Sequence, residues 1–211
     1  MPQPETVKVW DLFVRISHWS LVVGVVAAFF TAERWPETHE TIGYAIGAII
    51  VLRLIWGFVG PQHARFSDFV RGPSAVRSYM VSLLALRGRR YVGHSPAGGA
   101  MVVLLLVLIT VVVSTGIVSE QQREAAASQS VTATHPNEIP AARDANGEKE
   151  NETLVGEIHE AAANLLLVFI PLHLLGVLLA SVVHRENLVA AMFTGRKRAK
   201  SASADSKTKA L

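Results

Sequence analysis

Residues 156–187, GEIHEAAANLLLVFIPLHLLGVLLASVVHREN, form an apolar run in which two histidines, His159 and His173, stand fourteen positions apart. At 3.6 residues per turn that spacing offsets the two imidazoles by only about 40° in azimuth, and at 1.5 Å per residue by roughly 21 Å along the axis. The rise is most of a bilayer's hydrocarbon thickness, about 30 Å. An ionisable side chain inside a spanning helix is costly to hold there and is a functional-site candidate for that reason. Two on one face predict two stacked sites.

The rest of the chain agrees with a membrane setting. Half of its 211 residues are apolar and only 18% are charged, outside the range of ordinary soluble domains. There is no cysteine, which excludes disulfides, iron–sulfur clusters, thiolate metal sites and the covalent attachment of c-type haem. Any haem must be held non-covalently. The formal charge of +3 is modest, and nucleic acid is not the natural partner.

Four spans are expected. The first covers about 16–32, with His18 one turn inside its start; no A-x-A-like cleavage site follows it, so it reads as a retained helix and not a removed signal. The second, about 39–60, opens on His39 and carries Gly43 and Gly47 on roughly the same face. These glycines either clear space beside the histidine or form a Gly-x-x-x-Gly packing surface. Arg53, fourteen residues past His39, is either a snorkelling arginine or a counter-charge for an acidic cofactor group.

A connector, 61–96, holds six arginines, and within it residues 73–87 have the apolar spacing of an interfacial helix lying on the membrane surface. The third span, about 97–118, contains no ionisable group, and the fourth covers about 158–183. Between them, 119–157 has eight acidic against three basic residues and no apolar periodicity, the composition of a mobile polar loop. The spans and connections make one domain over 1–198, followed by a basic tail, 199–211, expected to be disordered.

Lys and Arg number two before the first span, six in the connector and seven after the fourth span, against one and three in the opposite loops. That asymmetry predicts both termini in the cytoplasm and 119–157 in the periplasm. With this topology His39 and His159 share the outer depth, and His18 and His173 share the inner one. A neutral imidazole at matched height on each of two facing helices is what a six-coordinate haem iron needs, and bundle cores are where such sites are built. Zinc or copper would want a third ligand. His63, His94, His135 and His184 lie outside this pattern; His63 and His94, in the basic connector, read as solvated or capping residues, and His184 as a cation at a helix C-terminus.

The segments VWDLFVRISHW, HETIGY, RLIWGFVGPQHARFSDFVRGP, GHSPAGGAMVVLLLV and IHEAAANLLLVFIPLHLLGVLLASVVHRENLVAAMFTGRK together resemble the bacterial cytochrome b561 family. That family is similar to the b-type cytochrome subunits of membrane-bound nickel–iron hydrogenases. The resemblance spans nearly the whole chain apart from 119–155 and the extreme tail, and the fourteen-residue His spacing is its most specific element. It implies an all-α bundle of four transmembrane helices holding two b haems, with His18 and His173 as axial ligands of the cytoplasmic-side haem and His39 and His159 of the periplasmic-side haem. It further implies electron transfer in the bacterial inner membrane, with a quinone as one terminal partner. The other partner is then a periplasmic hydrogenase-like or cytochrome c-like protein, or a small molecule such as superoxide; homodimerisation is left open. The competing class is a non-redox tetraspan transporter or assembly subunit using its histidines as proton relays.

Overall fold

The computed structural model describes residues 6–132 and 145–199, the side chains of 129–153 excepted. A short strand β1 (Thr6–Lys8) precedes α1 (Leu12–Thr31) and α2 (Pro36–Val59). Two connector helices follow, α3 (Phe66–Phe69) and α4 (Pro73–Leu84), then α5 (Pro96–Thr132), α6 (Ala145–His184), α7 (Leu188–Thr194) and β2 (Arg196–Arg198). Four of these helices are long and apolar enough to cross a bilayer: Leu12–Thr31, Pro36–Val59, Pro96–Ser128 and Leu154–His184. No more than 22% of the most apolar window of any span is buried within the protein, so most of its apolar surface is suited to face lipid. The molecule is an all-α membrane bundle with one small two-stranded sheet.

The helix starts have local causes. Asp11 accepts a 3.0 Å hydrogen bond from the Val14 amide, capping α1 several residues before its apolar run begins. Pro36 and Pro73 open α2 and α4, where a missing N–H costs nothing. Inside α6, Pro171 removes one main-chain donor.

Two expectations need correction. The polar segment 119–157 is helical at both ends, because α5 continues to Thr132 and α6 begins at Ala145; residues 133–144 lie outside the described residues. Lack of apolar periodicity excludes a buried face, but an Ala-, Glu- and Gln-rich stretch has ample helix propensity once an apolar span has nucleated the helix. An Arg123–Glu120 pair at 3.0 Å adds a turn-spacing contact. After α6, α7 and β2 carry structure to Arg198; residues 200–211 of the expected disordered tail lie outside the described residues. The interfacial helix ends at Leu84, with Leu86 in a left-handed turn (φ 57).

β1 and β2 pair antiparallel, Thr6 with Arg198, Val7 with Lys197 and Lys8 with Arg196. Residues before the first span and after the fourth can meet in a sheet only if the crossings between them are even in number, which supports the count of four independently of hydropathy.

The chain divides into two compact units. The first comprises the chain to Trp19, Arg53–Val103 and the chain from Leu172. Its core is Val9, Trp10, Val14 and Ala64, with Trp56, Val92 and Met192 packed against them. Arg90 pairs with Glu186 and also donates to the Arg198 carbonyl, and Arg15 donates to the Phe193 carbonyl. Buried Lys197 donates to the carbonyls of Tyr91 and Val92 at 3.2 and 3.1 Å. Gly195, at φ 76, turns the chain from α7 into β2 where a Cβ would meet the Trp10 carbonyl.

The second unit, Ser20–Leu52 with Leu104–Pro171, holds α1, α2, α5 and α6 side by side. A Cβ on Gly24 would lie 3.0 Å from Ile46, and one on Gly47 3.0 Å from Val113, so small residues let α1 approach α2 and α2 approach α5. Ile46, Ile50, Leu106, Leu108, Ile109, Ala162 and Leu166 are its buried apolar residues.

Candidate functional site

In the second unit α2 carries His39 and α6 carries His159, and their rings face each other with centroids 6.3 Å apart at 72°. His39 Nδ1 lies 2.8 Å from the Ala28 carbonyl on α1, and His159 Nδ1 lies 2.9 Å from the Val112 carbonyl and 3.2 Å from Thr115 Oγ1 on α5. A carbonyl only accepts, so each Nδ1 carries the proton and donates it. Each neutral ring is thereby left with its lone pair on Nε2. A ligating histidine is normally oriented by such a hydrogen bond from its other nitrogen. At a metal–imidazole distance of about 2 Å on each side, an ion midway between two such rings would require centroids near the separation observed. All four helices take part: α2 and α6 supply the rings, α1 and α5 the carbonyls that aim them.

The two glycines singled out beside His39 separate in role. Gly47 is a packing residue against Val113, while Gly43 faces open space. The small residue that clears room for a histidine is instead Gly116 on α5, where a Cβ would lie 3.3 Å from His159 Cε1.

The first unit contains the other expected pair. His18 on α1 lies within electrostatic reach of His173 on α6 and of Arg53 on α2. The His18 ring sits edge-on to Trp19 at 5.3 Å, and its Nδ1 is enclosed with no partner among the described residues. Arg53 is only 6% exposed and its Nη1 is also enclosed without a partner. This burial does not suit a snorkelling arginine, whose head would reach water.

His94 departs from the solvated role expected of it. Its ring centroid lies 4.5 Å from that of Trp10 and 4.5 Å from that of Phe69, and its Nδ1 is enclosed with no partner among the described residues. Burial first, then the charges of Arg53 and Lys197 and the nearby imidazoles of His63 and His173, hold its pKa down to about 3. The signal for this residue was its neighbourhood, G-H-S-P-A-G-G: a Cβ on Gly99 would lie 2.6 Å from the Phe69 carbonyl, and one on Gly93 2.9 Å from His63 Nδ1. His63 is itself in the left-handed region, at φ 74, an uncommon conformation for a non-glycine residue. His184 contacts Tyr79, Nε2 to Oη at 3.2 Å.

Among the described residues no group of three or more His, Cys, Asp or Glu could hold a metal ion. The facing pair His39 and His159 suits a haem iron, to which a porphyrin would supply the remaining four positions. Four apolar helices with imidazoles paired in their interior define a membrane-bound cytochrome of the b type. In agreement, the family described as prokaryotic cytochrome b561 matches residues 9–195, and the chain belongs to it. No curated protein and no solved structure matches the chain.

Proposed function

We propose that this chain is a di-haem cytochrome carrying electrons across the bacterial inner membrane between a periplasmic-side redox partner and the quinone pool. His39 and His159 hold one haem, and His18 and His173 the other. The observation that carries this reading is the facing of His39 and His159, with each Nδ1 tied to a main-chain carbonyl so that both Nε2 atoms are free to ligate. Haem bound there would supply a one-electron couple suited to electron transfer. The chain's own residues fix the rings, exclude water with the surrounding apolar side chains, and place the buried Arg53 charge beside His18.

The Lys and Arg count puts both termini, and with them β1, β2 and the 61–96 connector, in the cytoplasm. On α4, Tyr79 and Leu83 face inward while Met80, Val81 and Leu84 are exposed beside Arg77. Such a surface can lie at the headgroup boundary and frame an approach for a lipid-soluble quinone. Haem held by His39 and His159 would lie toward a periplasmic donor, and haem held by His18 and His173 toward quinone.

The deciding experiment is an absorption spectrum of the purified full-length protein with haem quantified. A reducible b-type spectrum at two haems per chain is expected. Colourless protein from haem-replete cells would abandon the redox reading in favour of a transporter or assembly subunit.

A further inference from the structure

Buried charge in the first unit is unbalanced. Arg53 and Lys197 are both buried, and both act on the enclosed ring of His94. The acids nearby are committed elsewhere: Glu186 pairs with Arg90, and Asp11 accepts from the Val14 amide at 3.0 Å and from Trp56 Nε1 at 3.3 Å. Asp11 acts on Arg53 through space, but no hydrogen bond joins them among the described residues. Arg53 Nη1 and His94 Nδ1 therefore remain two polar atoms sealed from solvent with no hydrogen-bond partner among the described residues. A buried guanidinium with an unmade hydrogen bond is costly, and the group that relieves that cost best is an anion with more than one acceptor oxygen.

We infer that His94, together with Arg53, forms a carboxylate pocket that receives a propionate of the haem held by His18 and His173. The inference rests on the proposed haem sites and adds to them a residue from the connector, outside the paired histidines. The placement fits, since Arg53 acts electrostatically on both His18 and His94, and His173 acts on both as well. A quinone headgroup could accept hydrogen bonds here, but being neutral it would leave the guanidinium charge uncompensated. Trp10 and Phe69 hold the His94 ring in place, and the glycines at 93 and 99 let the chain close around it. His94 is thus a positioning residue that would act on the cofactor's acidic edge and not on its iron.

The test uses the full-length holoprotein with His94→Phe and His94→Gln. Resonance Raman spectra are read at the propionate bending band, and each haem's midpoint potential is taken from a redox titration. In His94→Phe the band and the potential of one haem should shift, the potential falling, while the bis-histidine low-spin signature of both haems stays. The haem that shifts should be the one retained in His39→Ala. His94→Gln keeps a donor and should stay near the wild-type band; if His94→Phe loses that haem while His94→Gln keeps it with the band in place, the pocket is equally supported. Loss of the haem from both variants, two haems with unmoved bands, or a change confined to the apparent KM for a quinol analogue would each overturn it. Wild-type protein without haem would instead overturn the proposed function, so the two failures are distinguishable.

Discussion

A histidine whose Nδ1 is tied to a main-chain carbonyl has one nitrogen left to use, and His39 and His159, each tied in this way, stand with ring centroids 6.3 Å apart. Replacing either with alanine should remove one haem of two, and replacing His18 or His173 should remove the other, counted by pyridine haemochrome assay. Loss of a haem from His63→Ala with none lost from His39→Ala would show the pairing to be wrong. Arg53→Leu should lower the midpoint potential of the His18/His173 haem, because removing a nearby positive charge in a low-dielectric site disfavours the added electron; unchanged potentials in both haems would reduce Arg53 to a structural residue. His94 makes a further prediction in the haem-free chain, where its pKa is about 3 against an ordinary 6.5. The folded state then binds fewer protons than the unfolded one between those values, so the contribution is present above pH 6.5 and is lost as pH falls toward 3. His94→Gln should flatten the acid side of the stability curve over that window, and an equally steep loss in both proteins would count against the assigned environment. The approach of His39 to His159 was legible in the sequence because depth in a membrane is a linear coordinate along each helix. His94 was not, since its enclosure depends on Trp10 and Phe69, brought together from two distant segments by folding.

At the scale of elements, the four spans followed from apolar length alone, while β1, β2 and α7 carry no periodic signal and exist through contacts distant in sequence. Asn187 caps α7, its Oδ1 accepting from the Ala190 amide at 2.8 Å. Asn187→Ala should cost about 1 kcal/mol and loosen α7 without touching haem content, as read by limited proteolysis in detergent. The Arg90–Glu186 pair should matter more, since the Glu186 side chain is 6% exposed and removing one partner of a buried pair strands the other. Glu186→Ala is expected to lower stability by about 3 kcal/mol, with cleavage appearing around β2. Thermal unfolding indistinguishable from wild type would mean that solvent already screens the pair. The helical extensions through 119–132 and 145–157 escaped the sequence reading for a different reason: they are held by propensity and by continuity with the spans, and apolar pattern is silent about both.

For the whole molecule, the proposed traffic can be measured in liposomes carrying a quinol analogue in the bilayer and an impermeant redox dye outside. Exchange should need both haems, and a His173→Ala protein that still reacted with quinone at the normal rate would end the transmembrane reading. The β1–β2 ladder bears on how such a molecule is made. Thr6–Lys8 leaves the ribosome before the first span, yet its partner Arg196–Arg198 emerges only after the fourth span has been synthesised. The early strand must wait, unpaired, through the insertion of every helix, and its ladder can form only when the last has crossed in the correct sense. The three residue pairs therefore close last, tying the chain before the first span to the chain after the fourth.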